Sequence, residues 1–225
     1  MRKEPLVNGQ YYHIISRSIA KYIIFNSQED YCRLMEIIDL YRFLDFTHKY
    51  SNFIALTPQF QQYIINNVRK NSDVLVEIVA YCIMPTHIHL ILKQQVEKGI
   101  SKYISRTLNS YSKYFNKKLN RKGPLFDGRF TGILIKTDQQ LLHLTRYIHL
   151  NPVSAGLVKK PEDWKYTSYG EYIKNNTNKK EDKICNSSEI IDLKPTKYKI
   201  FVNDRIAYQK EISMIKYLLK NEHDG

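Results

Sequence analysis

The stretch Ile78-Val79-Ala80-Tyr81-Cys82-Ile83-Met84-Pro85-Thr86-His87-Ile88-His89-Leu90-Ile91-Leu92 decides how the rest of the chain is read. Two apolar runs rich in β-branched residues flank Met84-Pro85-Thr86, a connection short enough for a hairpin, so strands are predicted over 75–83 and 88–94. In an extended segment successive side chains alternate between faces. His87 and His89 then share one face, their Cα atoms about 7 Å apart. Two imidazoles at that spacing can hold one divalent ion between ring nitrogens. Two histidines that only pack and hydrogen-bond on a half-buried strand account for the triplet equally well, and the triplet alone does not choose.

Working outward, the turn pair Asn8-Gly9 precedes a strand over 10–17. Tyr31, Leu34, Met35, Ile38 and Tyr41 recur at threes and fours and predict a helix over 29–44, capped by Asn26 or Ser27, with Glu29 and Asp30 in its first turn. The pattern over 45–71 is less regular. Thr57-Pro58 reads there as a helix start, continued by Phe60, Tyr63, Ile64 and Val68. After the histidine strand Gly99 is expected to break the chain. A helix over 101–119 follows, striped by Tyr103, Ile104, Leu108, Tyr111 and Phe115, and Gly123-Pro124 closes it. A strand over 130–135 and a helix over 138–150, stopping near Pro152 and Gly156, complete the pattern. Strand, helix, strand, strand, helix, strand, helix is the order of an α+β fold. The expected form is a ferredoxin-like split β-α-β sandwich, an antiparallel sheet with helices on one face, plus a C-terminal extension.

The 225 residues are enough for one well-buried core and an appended segment. The expected division is a main domain over 1–170, with a loop around Trp164 packed onto it, a polar Lys/Asn-rich linker over 171–188, and a helical appendage over 189–225. The appendage carries an amphipathic helix near 205–220. No apolar run approaches the length of a membrane span, and no signal-peptide core follows the first residues, so neither membrane insertion nor secretion is expected. Cys32, Cys82 and Cys185 lack metal or redox spacing and suit a reducing cytoplasm. The net charge of +13 favours a polyanionic partner such as nucleic acid, although Lys, Asn, Ile and Tyr are all abundant, as compositional bias alone would make them. Position is more informative than the total. From Lys98 to Lys136 there are ten Lys or Arg residues against one acidic residue, Asp127, and this run starts just after the histidine strand.

On the helix predicted over 138–150, His143, Tyr147 and Asn151 recur at i, i+4 and occupy nearly one face within about 12 Å. Taken alone, Tyr147 is an ordinary core aromatic and Asn151 ends a helix before proline. Beside a metal on His87 and His89 the same residues gain a chemical logic. A phenol, with a pKa of about 10, is a weak nucleophile at neutral pH. A divalent ion on a phosphate neutralises developing charge and orients the target, and Asn151 can add an oxygen ligand one turn beyond Tyr147. Arg17, Lys102, Arg106, Lys113, Lys117, Lys118, Arg121, Lys122 and Arg129 are candidate phosphate contacts, and Tyr111 or Tyr114 a candidate stacking platform for bases. Arg129 is the candidate nearest the chemistry. Solvated lysines outside a helix core are the plain alternative.

Three long stretches carry a resemblance: Tyr81 through Leu90, the run Gly123-Pro124-Leu125-Phe126-Asp127-Gly128-Arg129-Phe130, and Tyr147-Ile148-His149-Leu150-Asn151-Pro152-Val153-Ser154-Ala155-Gly156-Leu157-Val158. With Tyr11 through Arg17 and Trp164 through Ser168, they make a chain that resembles the single-tyrosine HUH transposases of the IS200/IS605 kind, closest to the REP-associated branch, over about residues 8–170. The resemblance implies that His87 and His89 bind Mg²⁺ or Mn²⁺ with Asn151 as a further ligand. It implies that Tyr147 attacks single-stranded DNA, forming a 5′-phosphotyrosine and freeing a 3′-hydroxyl. It also implies recognition of an imperfect palindrome or hairpin beside the cut, by a monomer or a homodimer in the cytoplasm, associated with the nucleoid. His143 and His149, which flank Tyr147, are candidate accessory groups. Thr86 stands where Asn or Asp is common in the family, Ser18 where Gly is, and Phe126 where Trp is, and 45–73 is longer than in many relatives. A domesticated relative that binds hairpin DNA without cutting, and an unrelated metal-binding structural protein, are the competing readings.

Overall fold

The first strand, β1 (Tyr11–Arg17), follows a turn in which Gly9 takes a positive φ of 77°. The computed structural model describes residues 5–174, 183–185 and 194–206. Helices α1 (Gln28–Leu40), α2 (Tyr50–Phe53) and α3 (Pro58–Asn71) come next, then β2 (Val76–Met84), β3 (His87–Gln94), α4 (Gly99–Lys118), β4 (Thr131–Ile135), α5 (Asp138–Ser154), α6 (Tyr169–Ile173) and α7 (Pro195–Asn203). The strands form one antiparallel sheet in the order β2-β3-β1-β4. Strands β1 and β2 are separated in the sheet by β3, which is the split β-α-β arrangement expected from the sequence. Among the described residues, none of the helices is long and apolar enough to cross a membrane.

The described residues fall into two compact units. The first takes in those up to Ile78 together with Pro85–Ile135; the second takes in Val79–Met84 and those from Lys136 onward. Within the first, β1 runs antiparallel to β3, with Ile15 opposite His89 and Arg17 opposite His87, and antiparallel to β4, with His13 opposite Ile133. Alternation then puts Tyr12, Ile14, Ile88, Leu90 and Leu92 on one face, all of them buried. Burying an aliphatic or aromatic side chain contributes about 1.5–3 kcal/mol, so a one-residue slip in this register forfeits the whole set. Helix α4 lies against β3 and packs on α1. Ser27 caps α1 in a capping box, its hydroxyl accepting from the Asp30 N–H while the Asp30 carboxylate accepts from the Ser27 N–H.

Two boundaries differ from expectation. Gly99 opens α4 instead of interrupting the chain ahead of it. A Cβ there would lie 2.2 Å from the Leu75 carbonyl oxygen, so the glycine serves a close approach of backbone. Lys98 makes the preceding turn at φ 58°, and the Gln94 side chain accepts from the Ile100 N–H. Helix α5, in turn, continues through Pro152 to Ser154. Proline in the last turn removes a single intrahelical bond, and the end is closed two residues later around Gly156 at φ 72°. There the N–H of Leu157 donates to the Pro152 carbonyl and that of Gly156 to Val153, a Schellman cap.

In the second unit, Trp164 donates its indole N–H to the Ile83 carbonyl, which fixes the 161–169 loop. Helix α7 lies in the stretch expected to be appended. The helix expected near 205–220 lies outside the described residues apart from its first two positions, and most of the expected linker does too.

Candidate active site

The face of β1 and β3 opposite the apolar one carries His13, Ile15, Arg17, His87 and His89. His89 is 2% exposed and His13 is 5% exposed, whereas His87 is half-buried and Arg17 exposed. Nδ1 of His89 lies 2.9 Å from Nε2 of His13, with the two rings stacked at 5.2 Å. Nδ1 of His87 lies 3.0 Å from the Thr86 hydroxyl oxygen. The His87 and His89 rings are 4.9 Å apart and nearly perpendicular. Each ring of the pair therefore has its Nδ1 engaged by a neighbour, which is how orienting groups hold metal-binding imidazoles and present Nε2.

Electrostatics favours the neutral form. Burial pushes His13 down to about 4, and burial followed by the nearby Arg17 charge pushes His87 to about 4. His89 is held well below the usual value by burial and then by its neighbours His87, His13 and Arg17. Near pH 7 the lone pairs are thus available to a metal without a proton being displaced.

In the second unit, the hydroxyl of Thr137 caps α5 by accepting from the Gln140 N–H, at 3.1 Å. Tyr147 on this helix is 39% exposed. Asn151, one turn on, is half-buried, and its buried Nδ2 has no hydrogen-bond partner. His143 is exposed, its Nδ1 accepting from Arg146 at 2.7 Å. His149 has a different place from the accessory role expected of it. It is fully buried, with Nδ1 2.8 Å from the Tyr198 hydroxyl and Nε2 2.8 Å from Ser168 Oγ. Ser168 Oγ in turn accepts from the Tyr81 N–H at 3.0 Å. With both nitrogens engaged and burial pushing its pKa to about 3, His149 is a neutral strut joining α5, α6 and α7.

A family profile described as Transposase IS200 like matches residues 45–151, a span that holds His87, His89, Tyr147 and Asn151. A putative REP-associated tyrosine transposase of Haemophilus influenzae is 33% identical over 110 residues, covering 44% of this chain and 61% of that protein. The REP-associated tyrosine transposase of Escherichia coli K12 is 28% identical over 114 residues, covering 51% of this chain and 67% of that one. Over residues 45–151 the chain is similar to the IS200-like transposases. A solved structure of a REP-associated tyrosine transposase bound to a REP hairpin shares the fold of this chain with a TM-score of 0.50 and 17% identity, over 86% of this chain and 94% of the other. The chain spans about three fifths of the length of the Haemophilus relative.

Of the cations expected to meet phosphates, Arg17, Lys102, Lys113, Lys117, Lys122 and Arg129 are exposed. Arg129 lines a cavity of about 960 Å³ between α4 and the 123–132 segment. Others have work within the fold. Arg106 donates to the Phe46 carbonyl, and Arg121 to Asn116 Oδ1 and the Pro124 carbonyl. Lys118 pairs with the buried Asp30 at 2.7 Å, and the Tyr114 hydroxyl donates to the same carboxylate at 2.8 Å. Burial alone would raise the Asp30 pKa, but these bonds outweigh it and hold the carboxyl below its ordinary value. Tyr111 does not fit the stacking role. It is fully buried, with its hydroxyl donating to the Ile24 carbonyl, and is a core residue.

Among the described residues, no group of three or more His, Cys, Asp or Glu side chains is placed to hold a metal. The histidine cluster on the sheet face is His13, His87 and His89. His13 was not visible as part of it from sequence. Period-two alternation puts His13 on the parity of Arg17, but its meeting with His89 depends on β1–β3 register, which is non-local.

Proposed function

We propose that this chain is a metal-dependent endonuclease and strand transferase for single-stranded DNA with an imperfect palindrome or hairpin, of the REP-associated kind. His87 and His89 hold the divalent ion and Tyr147 is the nucleophile. The observation that carries the reading is the engagement of both Nδ1 atoms, by Thr86 and His13, which orients two neutral imidazoles as a ligand pair. The donor set fits Mg²⁺ or Mn²⁺ when oxygen from Asn151, water and the DNA phosphate completes it. When bound, the ion supplies Lewis-acid polarisation of the scissile phosphate.

The chain's own residues do the rest. His13 and Thr86 fix the ring orientations and can accept from Nδ1–H, which leaves Nε2 of each ring to the ion. Tyr147 Oη attacks phosphorus, the P–O3′ bond breaks, and the phenolic proton is lost as the leaving 3′-oxygen gains one. The products are a 5′-phosphotyrosine and a free 3′-hydroxyl, and a 3′-hydroxyl attacking the phosphotyrosine in reverse completes strand transfer. Arg17, exposed opposite His87, adds positive charge where the phosphate would lie.

The test is incubation with labelled hairpin-bearing single strands in Mn²⁺, Mg²⁺ or chelator, read on denaturing gels. Metal-dependent covalent adduct supports the proposal. Tight hairpin binding with no adduct in either metal would favour the domesticated, binding-only alternative.

A further inference from the structure

The segment between α1 and α3 forms with α1 and α4 a cavity of about 880 Å³. No residue of the sheet lines it, and Glu29 is the one acidic residue among its lining. Arg106 and Lys118, which also line it, are bound to the Phe46 carbonyl and Asp30. Arg33 is not bound in that way. Its guanidinium carbon lies 4.5 Å from the centre of the Tyr50 ring and 4.8 Å from that of Tyr114. Both rings are themselves fixed, Tyr50 by a hydrogen bond to Glu36 and Tyr114 by one to Asp30. Arg33 is half-buried between them and makes no hydrogen bond or ion pair among the described residues, its Nε being buried without a partner.

A partly desolvated guanidinium without an acceptor is unfavourable, and its fork of donors matches phosphate oxygens. The aromatic contacts hold the group in place, so little rotamer entropy is lost when an anion arrives. Lys49, Lys113 and Lys117 stand exposed around it. We propose that this cavity is a second DNA-backbone site, in which Arg33 takes a phosphodiester and the three lysines supply the surrounding positive potential. It rests on the DNA reading above and extends it to a surface that shares no residue with the histidine face. The segment between α1 and α3 contributes Lys49 and the Tyr50 ring under Arg33.

The experiment is a fluorescence-anisotropy titration of the full chain with a labelled DNA hairpin carrying a single-stranded arm, and with an unstructured oligothymidine, over a range of KCl concentrations. Arg33→Gln and Lys113→Gln are compared with the wild type and with Tyr147→Phe. Lys113 is exposed and has no bonding partner among the described residues, so a loss there is not a loss of folding. Each variant is expected to bind the hairpin about tenfold more weakly, with a salt slope shallower by about one, while Tyr147→Phe binds as the wild type does. An equal loss on oligothymidine places the contact on single-stranded backbone, and a loss confined to the hairpin places it on the stem. Wild-type affinity and slope in both variants would overturn the cavity assignment while leaving the covalent chemistry intact. A wild-type protein with no affinity for either DNA would overturn both readings.

Discussion

Nε2 of His13 and Nδ1 of His89 are 2.9 Å apart on the same face of the sheet, joining a residue of β1 to one of the histidine pair. One nitrogen must donate and the other accept. If His89 Nδ1–H donates, His89 Nε2 carries the lone pair a metal needs; if His13 Nε2–H donates, His89 carries its proton on Nε2 and cannot ligate there. Metal binding therefore selects the first tautomer, and His13 acts through His89. Replacing His13 by Phe keeps the stacked ring and removes the acceptor. Mn²⁺ affinity measured by calorimetry should fall about 10–100-fold. Unchanged affinity would show that His13 is packing only.

Metal choice follows from the ligands. Two imidazoles are softer donors than the oxygen set Mg²⁺ prefers, and Mg²⁺ gives up its waters reluctantly. In the absence of DNA, Mn²⁺ should bind about tenfold or more tightly than Mg²⁺. The preference should vanish in His87→Ala and His89→Ala. A wild-type site that took both ions equally would argue against imidazole ligation.

Gly99 gives a stability prediction with two opposed terms. Alanine in a helix usually gains about 0.5–1 kcal/mol over glycine. At this position, however, the new methyl would meet the Leu75 carbonyl oxygen at 2.2 Å, and backbone cannot swing away as a side chain can. Overpacking of this kind costs about 1–3 kcal/mol and wins. Urea denaturation of Gly99→Ala should show a net loss of about 1 kcal/mol, whereas a stabilised variant would contradict the close approach.

His149 predicts a pH dependence. Its pKa drops from 6.5 to about 3 on folding because burial disfavours the charged ring, so between these values the unfolded chain binds the extra proton. Stability from this group is complete above about pH 6.5 and declines as pH falls toward 3, by up to about 1.4 kcal/mol per pH unit. Chemical denaturation across pH 4–7 should lose about one proton's worth of slope in His149→Gln. An unaltered slope would mean that the ring is not buried neutral.

The strands were legible because alternation and β-branched composition survive in sequence whatever the partner: 10–17 was expected for Tyr11–Arg17 and 130–135 for Thr131–Ile135. The ferredoxin-like order followed from the element sequence. What depends on contacts distant in the chain was not legible. Gly99 looked like a breaker because its close neighbour, Leu75, is far away in sequence, and Pro152 looked like a stop because a proline's cost depends on how many helical bonds follow it. Tyr111 and Tyr114 sit on one helix with similar surroundings in sequence, yet Tyr111 reaches the Ile24 carbonyl in the core while Tyr114 reaches Asp30. His87, His89, Tyr147 and Asn151 stand out in the sequence as a candidate set, whereas His13 and Arg33 became visible only with the register of β1 and the packing of the 45–56 segment.

The central claim is that Tyr147 becomes joined to DNA, and peptide mapping of the adduct tests it most directly. Trypsin cutting after Arg146 and Lys159 releases a peptide in which Tyr147 is the only tyrosine. After nuclease trimming, mass spectrometry should find a nucleotide 5′-phosphate on that residue, in samples treated with metal and not in those treated with chelator. A nucleotide on any other tyrosine, or adduct persisting in Tyr147→Phe, would contradict the account.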